Sequence, residues 1–204
     1  MKLPILLYKP KFKCLGGTIS ISTDPDSKLK FGMIRLGNNR VSIYPNTGIL
    51  LELRGNVTFH GSCNIGNNSY ISTWENSHID FGDNFCSTTS LKLVCYKKIE
   101  FGKNISIGWD CLILDTNFHR LKKIDGSFAG KGYGPVIIEE NVWIGNNCQI
   151  TPNSHISNYS VISAGSVVNR RMEQTSYGIY GGNPAKLVAE GFYRDLKDDT
   201  IQYD

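Results

Sequence analysis

At 204 residues with 40% hydrophobic side chains, the chain is long enough to bury one sizeable core, and its length does not ask for two domains. The formal net charge is +4, but Lys and Arg are scattered, which argues against the clustered basic footprint of a nucleic-acid binder. Gly is abundant at 21 residues, Asn recurs, and Ile and Val dominate the apolar set, so strands and turns are expected rather than helices.

Residues 1–13 carry basic side chains around Leu3-Pro4-Ile5-Leu6-Leu7-Tyr8. That apolar run is too short for the hydrophobic stretch of a signal peptide or for a membrane span. Membrane contact is therefore expected to be peripheral at most. The six cysteines (Cys14, Cys63, Cys86, Cys95, Cys111, Cys148) form no Cys-x-x-Cys pair and no metal-ligand spacing. Most sit in strand-like runs, where a free thiol behaves as a small buried hydrophobe, so they read as reduced residues of a cytoplasmic protein with no metal site.

Further along, a beat of six sets in. It is first visible at Ile65 and Ile71, then at Phe81, Leu93, Phe101, Ile107 and Ile113, with slips of a residue or two between blocks. From Ile138 it is unbroken through Ile144, Ile150, Ile156, Ile162 and Val168. Six is neither the period of a helix nor that of a simple strand. It describes a short strand, a tight turn and the next short strand, with one large aliphatic side chain per unit pointing inward. Three units close a triangular coil of about eighteen residues, and stacked coils pair their strands in parallel about 4.8 Å apart. Gly66-Asn67-Asn68, Gly82-Asp83-Asn84, Gly102-Lys103-Asn104 and Gly145-Asn146-Asn147 supply the Gly and Asn that corners with positive φ require. The fold class expected is mainly β: a parallel β-helix of hexapeptide repeats, one domain over 1–204, with about seven coils between residues 30 and 170. A β-sandwich of short strands fits the sustained beat poorly.

Residues 117–135, polar and rich in Gly and Lys, break the beat and are expected to project as a loop, where function concentrates on so regular a scaffold. Residues 185–197 read as a short C-terminal helix. Leu187, Val188, Phe192 and Leu196 would share one face and cover the last coil's strand edges.

Residues 101–188 resemble the hexapeptide-repeat acetyltransferases, in particular their maltose, galactoside and Nod-factor O-acetyltransferase branch. Four pieces carry the likeness in order: Ile105-Ser106-Ile107-Gly108; Leu114-Asp115-Thr116-Asn117-Phe118-His119; Val142-Trp143-Ile144-Gly145; and Gly182-Asn183-Pro184-Ala185-Lys186. Leu51-Glu52-Leu53-Arg54-Gly55 also looks like an early coil of such enzymes. The resemblance, and not the repeat, implies a left-handed winding, acetyl-CoA as co-substrate and a homotrimer. It also implies that His119 is the catalytic base, since imidazole titrates close enough to neutrality to take a hydroxyl proton and return it to a leaving thiolate. Asp115 is implied as its orienter or as an acceptor ligand, with a turn-forming Asp as the alternative.

The same resemblance puts Trp143 beside the pantetheine arm and Gly145, Ala164 and Gly165 along its groove. Gly182, Asn183, Pro184 and Lys186 would meet the nucleotide end, with Arg170 or Arg171 helping Lys186 at the phosphates. Asn169-Arg170-Arg171-Met172-Glu173-Gln174 departs from the family's usual Lys-Asp-Ile-Pro-Pro. The sugar-binding residues of the galactoside enzymes also lack matches around residues 89–96, so a different sugar or glycan acceptor is expected.

The function implied is O-acetylation of a sugar hydroxyl in surface polysaccharide (O-antigen or capsule) biosynthesis. Trp74 and Trp109 offer rings suited to sugar faces. N-acetylation of an amino sugar or of a xenobiotic of the chloramphenicol or streptogramin type is the alternative within the fold, and a non-catalytic structural β-helix the alternative outside it. Zinc chemistry of the carbonic anhydrase kind would need a close pair of histidines, whereas His60, His78, His119 and His155 are widely spaced.

Overall fold

The computed structural model describes residues 3–22, 28–172 and 176–200. Met1 and Lys2 of the N-terminal run, and Glu173 and Gln174 of the divergent stretch, lie outside them.

Six three-strand coils stack along one axis. They are β1 (Ile5–Leu7), β2 (Pro10–Leu15) and β3 (Thr18–Ile21); β4 (Ile34–Asn38), β5 (Ile49–Leu53) and β6 (Asn56–Phe59); β7 (Cys63–Gly66), β8 (Ser69–Thr73) and β9 (His78–Phe81); β10 (Phe85–Ser87), β11 (Lys92–Cys95) and β12 (Lys98–Phe101); β13 (Ser106–Ile107), β14 (Leu112–Leu114) and β15 (Val136–Ile138); and β16 (Trp143–Ile144), β17 (Gln149–Ile150) and β18 (His155–Ile156). A further turn adds β19 (Val161–Ile162), β20 (Val167–Val168) and β21 (Gly178–Gly181), and β22 (Lys186–Glu190) ends the stack.

The first strand of each coil joins sheet A (nine strands), the second sheet B (seven) and the third sheet C (six), so the cross-section is a triangle with edges A/B, B/C and C/A. Every strand pair is parallel except β21–β22. The fold class is thus a left-handed parallel β-helix of hexapeptide repeats. Every beat residue from Ile65 to Val168 is inside, with at most 3% of its surface exposed. On sheet C the beat becomes a stack of rings, Phe59 on Phe81 at 5.1 Å and Phe81 on Phe101 at 5.2 Å. Burying one such side chain contributes roughly 2–3 kcal/mol.

The coils begin earlier than residue 30. The N-terminal apolar run is the first coil: Ile5 pairs with Ile34 and Pro10 with Ile49, so its backbone is spent on sheet pairing. The slips in the beat are longer coils. Cys63 pairs with Phe85 and Cys86 with Ser106, twenty-two and twenty residues on, against eighteen from Trp143 to Val161.

The corners divide their chemistry between Asn and Gly. Asn84, Asn104 and Asn141 take positive φ on successive coils, and their amides form a ladder with 2.9 Å bonds from Asn84 to Asn104 and from Asn104 to Asn141. The glycines before them serve close approach instead. A Cβ on Gly66 would lie 1.7 Å from the Thr88 carbonyl oxygen, a clash of backbone on backbone.

Residues 185–197 are not a helix. After the turn at Gly182, residues 186–190 form β22, antiparallel to β21, with side chains alternately exposed and half-buried. Leu187 packs against the core, while Val188 stands out into solvent. The β-branched, alternating sequence satisfies the open hydrogen-bonding edge of β21 directly, which a helix cannot do. Among the described residues, helical structure is confined to a 3-10 turn, Asp198–Thr200. No helix is long and apolar enough to cross a membrane among those residues.

Candidate active site

The chain leaves sheet B at Leu114 and does not rejoin sheet C until Val136, so residues 117–135 project from the B/C edge as expected. They form a narrow finger. Thr116 pairs with Tyr133 and Lys122 with Phe128, both antiparallel, and the Asn117 N–H donates to the Gly132 carbonyl at 2.8 Å. The Phe128 ring takes the Arg120 guanidinium on its face at 3.6 Å. Leu121 and Ile124 near the tip are fully in solvent.

His119 stands at the base of this finger, beside a cavity of about 400 Å³. Trp74, Tyr96, Phe118 and Tyr133 wall it with rings, and Arg120 and Lys131 are its cations. Trp74 and Tyr96 are corner residues of adjacent coils, their rings 6.0 Å apart; Phe118 lies 6.1 Å from Trp74, and Tyr133 lies 5.0 Å from Tyr96.

Asp115 does not reach the imidazole. Its carboxylate is fully buried and accepts the backbone N–H groups of Tyr96 and Lys97 at 2.6 Å and of Lys98 at 2.7 Å. Three backbone N–H groups converge on this one carboxylate, which holds the previous coil's corner, where Tyr96 lines the cavity. The bond that does orient the loop entrance is the Phe118 N–H to the Thr116 hydroxyl, 3.0 Å.

The residues expected on the coenzyme side gather at a different edge. Gly145, Ala164 with Gly165, and Gly182 with Asn183 and Pro184 occupy the A/B corners of three successive coils. The corners are zipped by Gly165 N–H to the Asn146 carbonyl at 2.9 Å and Val167 N–H to the Gly182 carbonyl at 3.0 Å. Small residues are obligatory there: a Cβ on Gly145 would lie 2.7 Å from the Ala164 nitrogen. At Gly165 the space a Cβ would take is open, with nothing within 4 Å. Cys111 and Cys148 fill the inside of this edge, donating to the Gly145 and Ser163 carbonyls at 3.2 Å.

Trp143 lies on the outer face of sheet A two residues before Gly145, half-exposed, with the Arg194 guanidinium 5.2 Å from its ring. Lys186, Arg170 and Arg171 line a cavity of about 570 Å³ at the C-terminal end. Within one chain, His119 and this groove sit on different edges of the prism.

Three further features escape the sequence. Tyr96 and Tyr133 have no motif; the signal for Tyr96 is its register one coil below Trp74, visible only once a twenty-two-residue coil is known. A second excursion, residues 39–48, leaves the A/B edge: Pro45 accepts from the Asn67 amide at 2.8 Å, and the Tyr44 hydroxyl donates to Asp110, beside the half-exposed Trp109. On sheet C, His60 and His78 share the Asp80 carboxylate at 3.0 and 2.9 Å, and His155 bonds Glu139 at 2.7 Å. Among the described residues, no group of three or more His, Cys, Asp or Glu side chains is arranged to hold a metal ion.

The family profile described as "Bacterial transferase hexapeptide (six repeats)" matches residues 135–170. A Saccharomyces cerevisiae protein named as an acetyltransferase is 34% identical over 127 residues, which is 62% of this chain and 58% of that protein. Escherichia coli K12 galactoside O-acetyltransferase is 32% identical over 130 residues, 62% of this chain and 60% of the enzyme. The chain thus spans about three-fifths of the length of these curated relatives. The crystal structure of the polySia-specific acetyltransferase NeuO superposes with a TM-score of 0.60 at 16% identity, covering 95% of this chain and 92% of that one, a likeness of fold. Repeat, fold and sequence likeness thus agree: residues 135–170 carry the hexapeptide repeat of bacterial transferases, and the chain is similar to acetyltransferases over about three-fifths of its length.

Proposed function

We propose that the protein is a cytoplasmic, acetyl-CoA-dependent O-acetyltransferase acting on a sugar hydroxyl, with a role in surface polysaccharide biosynthesis. The observation that carries this reading is the position of His119: beside the ring-walled cavity and at the base of the projecting finger. Aromatic faces suit the C–H faces of sugar rings, and a half-open cavity suits part of a glycan. The names of relatives, a galactoside O-acetyltransferase and a polySia-specific acetyltransferase, support a sugar acceptor. Six free cysteines, four of them buried, fit a reducing cytoplasm.

In this reading acetyl-CoA lies along the A/B groove of Gly145, Ala164, Gly165 and Gly182, past Trp143. Asn183, Pro184 and Lys186 meet its nucleotide end, with Arg170 and Arg171 near the phosphates. His119 accepts the acceptor hydroxyl's proton as the oxygen attacks the thioester carbonyl. The tetrahedral adduct collapses by breaking the C–S bond, and the imidazolium returns its proton to the leaving thiolate, leaving an ester and free coenzyme A. No electrons are exchanged and the base is regenerated.

Because histidine and groove lie on different edges of one prism, the site needs a second copy of the chain. A homotrimer supplies it: closed cyclic packing brings the B/C edge of one subunit against the sheet A face of the next. The exposed Leu121 and Ile124 on the finger support such a contact. Incubation with acetyl-CoA and a panel of free, nucleotide-linked and oligomeric sugars, followed by mass spectrometry, tests the reading. A mild-alkali-labile acetyl group on a sugar is expected. An alkali-stable group appearing only on amino acceptors overturns O-acetylation.

A further inference from the structure

The charge of the cavity beside His119 has one sign. Its charged walls other than the histidine are Arg120 and Lys131, and no carboxylate lines it. The finger that forms one wall carries Arg120, Lys122, Lys123 and Lys131 against a single acid, Asp125. That acid is engaged locally, accepting from the Ser127 N–H at 2.8 Å and the Ser127 hydroxyl at 2.6 Å. The nearby Asp115 carboxylate is buried, accepts three backbone N–H groups and does not line the cavity.

Arg120 is held by its flat face on Phe128, an arrangement that leaves the in-plane N–H donors free and fixes their direction. Trp74, Tyr96 and Tyr133 line the same cavity as these cations. A cavity lined by both rings and cations suits a ligand that offers a sugar face together with an anion. A neutral hexose would leave both cations without a partner on binding, whereas a carboxylate pairs with them through charge-assisted bonds.

We infer that the acceptor is an acidic glycan, a carboxylate-bearing sugar whose ring packs on Trp74 and Tyr96 and whose carboxylate is taken by Arg120 and Lys131. The inference rests on the acetyltransferase reading above and adds the acceptor's charge to it. Arg120 and Lys131 are then specificity-determining residues, separate from the coenzyme groove at the A/B edge.

The test uses matched acceptors that differ only in charge: a hexuronic-acid oligosaccharide and a nonulosonic-acid oligosaccharide, each beside its methyl ester, with acetyl-CoA as donor. For at least one pair the acid is expected to have kcat/KM about tenfold above its ester, the range of a charge-assisted contact. That advantage should shrink with added salt and disappear in R120Q/K131Q, while R120K/K131R restores part of it. The KM for acetyl-CoA should not move in either variant, and melting temperatures report that both fold. An ester accepted as well as its acid, an advantage that survives R120Q/K131Q, or transfer to neutral oligosaccharides alone overturns the inference and leaves the enzymatic reading standing. No acetylation of any sugar, together with no thermal stabilisation by acetyl-CoA, instead removes the enzymatic reading and the inference with it.

Discussion

Gly132 lies directly against the main chain of His119: a Cβ on Gly132 would stand 2.5 Å from the His119 carbonyl oxygen, and its φ of +74° is one that alanine adopts only with strain. The finger's return strand is thus the backing that holds the histidine in place. Gly132→Ala should cost about 1–2 kcal/mol of stability, yet lower turnover by about a hundredfold, because a base displaced by an ångström no longer meets its proton. Steady-state kinetics beside a melting curve separate the two effects. Full activity in the variant would mean that His119 does not depend on this contact.

Asp115 offers a different kind of test, because its carboxylate is buried beneath the Tyr96 corner and accepts three backbone N–H groups. Asp115→Asn turns an amide N–H₂ toward donors and should destabilise the fold by about 3 kcal/mol, measured by urea unfolding. If Asp115 acted on the imidazole instead, the variant would keep its stability and lose only turnover.

Glu52 ties three coils together. It accepts from Lys13 of the first coil, from Arg54 in its own, and from Tyr70 and Ser72 of the third, at 3.0 to 3.2 Å. Burial works against the charge, but the hydrogen bonds outweigh it and hold the carboxyl down at about 2. Because the folded value lies below the unfolded one, this stabilisation is complete above the ordinary glutamate range and is lost as pH falls toward about 2. Wild-type stability should therefore decline through that acid window, and Glu52→Gln should be less stable at neutral pH with a shallower acid decline. Parallel pH profiles of the two proteins would refute this.

The architecture was legible because one physical demand repeats: an inward aliphatic or aromatic side chain on each face of each coil. Ile138 through Val168 announce it, and all are buried. The first coil was hidden because it stands at the end of the stack: Phe12 and Ile19 are exposed and Ile5 is only half-buried, so its strands carry little of the inward beat. The C-terminal strand was misread because Leu187, Val188, Phe192 and Leu196 have helical spacing, and only the unpaired edge of β21 decides in favour of a strand. At the site, His119 is marked by its motif and loop. The rings of Tyr96 and Tyr133 are not marked, since coil length sets which corner residues meet and that length varies, from eighteen residues between Trp143 and Val161 to twenty-two between Cys63 and Phe85 and more where an excursion intervenes.

The division of the candidate site between two edges leads to a prediction about assembly. Light scattering should show a mass about three times the 22.8 kDa of the chain. Replacing Leu121 and Ile124 with Asp should weaken that assembly and activity together. A fully active monomer would mean that one prism carries a complete site.

The most direct test of the account is the turnover of His119→Ala with acetyl-CoA and an accepted sugar, read as ester formed and thiol released. The variant should still be stabilised against heat by acetyl-CoA, while kcat falls by about two orders of magnitude or more, as expected for loss of a general base. A variant that binds acetyl-CoA and keeps more than about a third of wild-type kcat would contradict the role given to His119.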